Sequence, residues 1–164
     1  MTQRFLLTLA LLATMVFCSG TASAATIDLN KALVIGTGPK KVIEFTDPDC
    51  PFCRKAAAYF HSRRDITRYV FFNPLAMHPN ARSKAQYILS GHDKTRLYHE
   101  VMSGMVDRMD TKNLPVTAAG IKSQEEQQAI AKKAGIDSTP TFMIMGRIIE
   151  GFVQAKIEEL LGKP

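Results

Sequence analysis

Cys50-Pro51-Phe52-Cys53 falls at a junction between two kinds of periodicity. Before it, Lys41 to Thr46 (KVIEFT) is a run interrupted by one acid, Glu44, and otherwise patterned as a buried strand. After it, Phe52, Ala56, Tyr59 and Phe60 recur at i, i+4, i+7 and i+8, one stripe of a 3.6-residue period. Asp47-Pro48-Asp49 breaks the strand, and Asp49 is placed to cap the helix. Pro51 is tolerated in the first turn, where the amides have no intrahelical partner. The junction predicts a strand-to-helix turn that carries both thiols.

The rest of the chain extends this pattern. Leu33 to Ile35 is a short β-prone run closed by Gly36-Thr37-Gly38-Pro39, and Ile66 to Phe72 (ITRYVFF) is a second strand ended by Asn73-Pro74. Ala81, Ala85, Ile88 and Leu89 stripe one helix, and Tyr98, Val101, Met102, Met105 and Met109 stripe another. A capping box at Ser123 and Glu126 opens a third helix, which Gly135 closes in a left-handed conformation. Thr141 to Met145 and Arg147 to Glu150 flank Gly146 as a hairpin, and Val153, Ile157, Leu160 and Leu161 stripe a last helix stopped by Gly162. One parallel crossover followed by an antiparallel hairpin gives a mixed central sheet flanked by helices. This is an α/β, thioredoxin-like fold, with a helical insertion at about 78–135.

Length and composition bound the organisation. The 164 residues are 46% hydrophobic and 22% charged, which suits one globular domain and excludes a disordered or fibrous chain. Residues 1–24 read as a cleaved secretory signal peptide: Arg4 gives a positive start, Phe5 to Phe17 are almost wholly apolar, and Ala22-Ser23-Ala24 is an A-x-A cleavage signal. The mature domain is then 25–164, holding Cys50 and Cys53 but not Cys18, in an oxidising compartment. Removing Arg4 lowers the net charge from +6 to +5. Arg54-Lys55, Arg63-Arg64 and Arg68 read as a solvated helix surface, without the long basic run that nucleic-acid binding asks for.

Two cysteines three positions apart at a helix start can close a small ring. The first thiol meets free backbone amides and the positive end of the helix dipole, which stabilise a thiolate. The second is shielded one turn down. Cys50 is therefore the candidate nucleophile toward a disulfide, and Cys53 the thiol that resolves the mixed disulfide. Half a zinc site has the same spacing, but no second pair exists, and His61, His78, His92 and His99 lack ligand spacing. Neither a metal nor another cofactor is required. Thr139-Pro140 opens a strand, a position that often marks a cis bond and equally suits an ordinary strand start.

Phe45-Thr46-Asp47-Pro48-Asp49-Cys50-Pro51-Phe52-Cys53-Arg54 resembles the active-site stretch of the DsbC/DsbG family of periplasmic thiol:disulfide interchange proteins. Thr67 to Phe72 resembles that family's next strand, and Ser138-Thr139-Pro140-Thr141 its cis-proline loop; the likeness runs from about Val42 to Leu161. The resemblance implies a periplasmic oxidoreductase that reduces or isomerises disulfides in exported proteins, re-reduced by a membrane thiol reductase of the DsbD type. It also implies a cis Pro140 facing Cys50, with Thr139 offering its backbone to a bound peptide; Pro51 and Phe52 join Thr139 as candidate substrate-binding residues. Phe52, Met77 and Phe142 are candidates for an apolar surface near Cys50, although Phe142 equally suits the core.

The chain also departs from that family. Ala25 to Lys41 leave no room for the family's N-terminal dimerisation domain, so the expectation is a monomeric catalytic domain. Glu44 stands where DsbC is apolar and where thioredoxin and DsbA carry an acid. If buried, it is a candidate to take and return the proton of Cys53; at a sheet edge it faces solvent. Asp47 and Asp49, if close, disfavour a Cys50 anion, and with Phe52 between the cysteines the expected Cys50 pKa lies below a free thiol's and above the value of about 3.5 in DsbA. Two other readings remain: a DsbA-like dithiol oxidase, or a periplasmic copper-handling protein using Met102, Met105 and Met109.

Overall fold

The computed structural model describes residues 26–164, so the signal peptide read at 1–24 lies outside the described residues. In chain order the elements are β1 (Leu33–Ile35), β2 (Lys40–Thr46), α1 (Pro51–His61), β3 (Ile66–Phe72), α2 (Ala81–Ser90), α3 (Lys94–Met102), α4 (Ala118–Lys133), β4 (Thr141–Ile144), β5 (Arg147–Glu150) and α5 (Gln154–Leu161). The strands form one mixed sheet in the order β1-β3-β2-β4-β5. β2 and β3 are parallel, joined by α1, while β1 on β3, β4 on β2 and β5 on β4 are antiparallel.

The period-2 alternation of β2 sorts its side chains to the two faces of the sheet. Val42 packs with Ala56 and Phe60 of α1, with Phe142 and Ile144 of β4, and with Ile157 and Leu161 of α5. Phe45 turns the other way and stacks on Phe71, centroids 5.3 Å apart, beneath Ala131 of α4. A third cluster joins the two cysteines to Val70 and Phe72 of β3 and to α2 and α3, through Ala85, Ile88, Tyr98, Val101 and Met102. Helices α2 to α4 thus enter the sequence between β3 and β4 and wrap over the end of the sheet that bears the cysteines. Gly120 lets α4 lie against α2, because a Cβ there would stand 2.0 Å from the Ser90 hydroxyl and 2.8 Å from the Gln86 carbonyl.

Four sequence expectations change. Helix α4 begins at Ala118, not near Ser123, because the Thr117 hydroxyl accepts from the Gly120 amide at 3.1 Å and caps it six residues earlier than Ser123. Helix α3 stops at Met102, so Met105 and Met109 lie on turns beyond it and the methionines do not share one helix face. Cys50, not Asp49, is the N-cap of α1, and no side chain caps that helix. The solvated basic face is smaller than expected: Lys55 and Arg64 are exposed, but Arg63 is buried on Asp65 and on the Leu161 and Gly162 carbonyls, and Arg68 lies inside the core.

Candidate active site

Cys50 has extended backbone (φ −72°, ψ 122°) and hands its carbonyl to the Arg54 amide at 3.1 Å, the first hydrogen bond of α1. Its thiol stands at the helix start, where free amides point outward. Cys53 is fully buried one turn down, with its sulfur accepting from the Asp47 amide at 3.4 Å. Both are free thiols. On the other side the Thr139–Pro140 peptide bond is cis, and the Cys50 thiol reaches the Thr139 carbonyl at 3.5 Å. The crossover and the insertion therefore bring together residues 89 positions apart.

The two thiols differ sharply in acidity. A hydrogen bond from Cys53, working against desolvation, and the Cys53 and Phe52 backbone amides lower Cys50 to about 6. Burial, and then the same bond to Cys50, pushes Cys53 far above the ordinary thiol range. Cys50 is thus a thiolate at neutral pH while Cys53 keeps its proton. Alkylation of the reduced protein by iodoacetamide is expected to be half-maximal near pH 6, at one cysteine; a midpoint near 8.5 overturns this. Because the folded value lies below the unfolded one of about 8.5, the Cys50 contribution to stability is full above pH 8.5 and lost as pH falls through 6. The reduced protein is therefore expected to gain stability relative to the oxidised one between pH 6 and 8.5.

The two nearby acids are both held by hydrogen-bond donors. The buried Asp47 carboxylate accepts from the Asp49 amide (2.8 Å), the Leu75 amide (2.8 Å) and His78 Nδ1 (2.9 Å). Asp49 accepts from Lys84 Nζ at 2.5 Å and Arg54 Nη2 at 3.3 Å. The Cys50 value of about 6 falls within the expected interval, below a free thiol's and above about 3.5.

Glu44 is wholly buried on central strand β2, so the sheet-edge alternative is excluded. Its Oε2 accepts from Arg68 Nε at 3.0 Å, and its Oε1 has no protein partner. Arg68 in turn reaches the Tyr98 hydroxyl and lies between the Phe60 and Tyr98 rings, 5.2 and 5.0 Å from their centroids. Burial raises Tyr98 well above the usual phenol range.

Pro51 and Phe52 are exposed beside Cys50, Phe52 at 56% and Met77 at 76%, whereas Phe142 is core, packed edge-on against Phe60 at 5.6 Å. Met102 is buried while Met105 and Met109 are exposed, which removes the geometry behind the copper reading. Arg68, Tyr98, Lys84, His78 and Asp107 escaped the sequence reading. Arg68 left a signal, a cation inside the otherwise buried run ITRYVFF that answers the acid in KVIEFT. Lys84 left another, a cation on the apolar stripe of Ala81, Ala85 and Ile88.

A mixed sheet with a CxxC at the start of the crossover helix, a buried second thiol and a cis-proline loop opposite defines a thioredoxin-like domain. The Thioredoxin-like domain family model matches residues 27–163, and the chain belongs to that family. The probable thiol:disulfide interchange protein DsbC of Bordetella avium is 26% identical over 116 residues, 70% of this chain and 39% of that protein. The chain therefore spans about two-fifths of the length of that relative. The crystal structure of a disulfide interchange protein from Neisseria gonorrhoeae is 27% identical, with a TM-score of 0.67, covering 84% of this chain and 99% of that one. A periplasmic thioredoxin-like protein from Salmonella enterica serovar Typhimurium shares the fold at 18% identity and a TM-score of 0.64, covering 85% of this chain and 91% of that one.

Proposed function

We propose that the protein is a periplasmic thiol–disulfide oxidoreductase that reduces or isomerises disulfides in exported proteins. The observation that carries this reading is the pairing of an acidified Cys50, held against the Thr139 carbonyl, with a protonated and buried Cys53 one turn below. The Cys50 thiolate attacks a substrate disulfide; one substrate sulfur leaves as a thiolate and takes up a proton, and a Cys50–substrate disulfide forms. Cys53 then gives up its proton and attacks Cys50 Sγ, forming the Cys50–Cys53 disulfide and releasing the second substrate sulfur. Two electrons pass to the substrate, so turnover needs an external dithiol donor, for which a membrane thiol reductase of the DsbD type is the proposed partner.

Glu44 is the proposed acceptor of the Cys53 proton: it is buried on the sheet face that α1 covers, and its Oε1 has no protein partner. Thr139, Pro51 and Phe52 are the proposed peptide contacts, and Pro140 fixes the loop opposite the nucleophile. Action as a monomer is part of the proposal. The apolar leader pattern at 1–24 supports export, with 25–164 as the mature domain.

The Cys50–Cys53 reduction potential, read at equilibrium with glutathione buffers, tests the direction of electron flow. A Cys50 pKa above that of DsbA predicts a couple less oxidising than about −120 mV, in the range of about −200 mV or below. A value near about −120 mV would make the protein a dithiol oxidase instead.

A further inference from the structure

The turn that carries Cys50 is tied to the insertion by a closed ring of four charges. Arg54 of α1 grips both oxygens of Asp107, Nη1 to Oδ2 at 2.6 Å and Nη2 to Oδ1 at 2.8 Å, and its Nε donates to the Pro48 carbonyl at 2.7 Å. Lys84 of α2, itself buried, reaches Asp107 Oδ1 at 2.6 Å and Asp49 Oδ1 at 2.5 Å. Asp49 closes the ring by accepting from Arg54 at 3.3 Å. Gly104, with φ +85°, gives Asp107 its room, since a Cβ there would lie 3.0 Å from Asp107 Oδ2.

Two members of the ring bracket the nucleophile in the chain: Asp49 immediately precedes Cys50, and Arg54 donates its amide to the Cys50 carbonyl. The other two, Lys84 and Asp107, belong to the helical segment between β3 and β4. Two cations and two anions leave the ring neutral as a whole. Other charged and titratable groups around the turn include Cys53, hydrogen-bonded to Cys50, Asp47 with His78, and Lys55 over the Phe52 ring at 5.3 Å.

We propose that Lys84 and Asp107 are positioning residues for Cys50: by cancelling the charges of Asp49 and Arg54 they hold the cysteine turn in place and set how strongly it favours a thiolate. The inference rests on Cys50 being the reactive thiol, and it makes the insertion a determinant of the chemistry. Deleting one charge from a neutral ring leaves a net charge on the turn that carries Cys50, and the sign of that charge fixes the direction of the effect. Asp107→Asn leaves a surplus cation and stabilises the thiolate. Lys84→Met leaves a surplus anion and destabilises it. Removing both restores neutrality.

The test is the ultraviolet absorbance of the Cys50 thiolate against pH, on the full mature chain in reduced form, for wild type, Asp107→Asn, Lys84→Met and the double variant. The expected result is a midpoint lowered in Asp107→Asn and raised in Lys84→Met, each by about half a pH unit or about threefold in the thiolate–thiol ratio. The double variant is expected to titrate close to wild type, and about 1 M salt to shrink both shifts. Single variants that shift in the same direction, or not at all, overturn the proposal, since a purely structural clamp has no reason to give opposite signs. Asp107 is the more exposed member, so Asp107→Asn keeps the proposal falsifiable if Lys84→Met fails to fold; Lys84→Arg is expected to keep the wild-type midpoint. The titration requires no turnover. Failure of wild type to exchange disulfides with glutathione would defeat the oxidoreductase reading and leave the titration result standing.

Discussion

Cys50→Ala is expected to reduce disulfide exchange to the uncatalysed background, whereas Cys53→Ala stalls it as a covalent mixed disulfide. The two outcomes differ because the site divides one reaction between unequal thiols. Cys50 is ionised at neutral pH and, although itself only 5% exposed, is flanked by exposed Pro51 and Phe52, so of the two thiols it is the one proposed to meet a substrate. Cys53 is fully buried and protonated, so in the absence of Cys50 it offers neither access nor a nucleophile. With Cys50 present and Cys53 gone, the first attack proceeds and nothing inside the protein displaces the bound substrate. Insulin reduction measures the first claim, and the mass of the trapped adduct with a disulfide peptide measures the second. Wild-type turnover by Cys53→Ala would remove Cys53 from the resolving step.

Arg68→Met is expected to cost about 3–5 kcal/mol of folding stability, a large part of the 5–15 kcal/mol available to a domain of this size. The reason is the burial of both partners: with Arg68 gone, the Glu44 carboxylate is left inside the core without a counter-charge. Urea unfolding of the reduced protein measures the loss. Joint replacement of Glu44 and Arg68 by leucine and methionine is expected to recover most of it, because two matched charges leave together. Glu44→Gln separates stability from chemistry. It removes the proposed proton acceptor while keeping an oxygen for Arg68, so release of the mixed disulfide slows even where the protein stays folded. An unchanged release rate would exclude Glu44 from the proton transfer.

Much of this architecture is written in local patterns. KVIEFT and ITRYVFF form the two parallel central strands, and the stripe through Ala56 and Phe60 marks α1, although its first member, Phe52, is exposed and the buried face runs through Cys53, Ala56, Ala57 and Phe60. The start of α4 was misread because Ser123 and Glu126 imitate a capping box in mid-helix, while the true cap, Thr117, is followed by Ala-Ala-Gly, which carries no strong start signal. The cysteines and the Thr139-Pro140 loop were legible as motifs. Their electrostatic setting was not, because Asp49 meets Lys84, and Arg54 meets Asp107, across 35 and 53 residues of chain. Pairing over such spans depends on how α2 and the turns after α3 close over the sheet, which periodicity does not encode.

The site is also assembled from parts of very different range. Cys50 and Cys53 meet within one helical turn, but the Thr139 carbonyl arrives only when β4 has paired with β2 and the intervening helices have closed. An incompletely folded chain therefore carries the dithiol, and the acidity that Cys53 and the local amides lend Cys50, without the loop that stands across from it. Cover over Cys50 becomes a signature of finished folding, so how far a bulky label is kept from this one sulfur reports, molecule by molecule, whether the whole domain has come together.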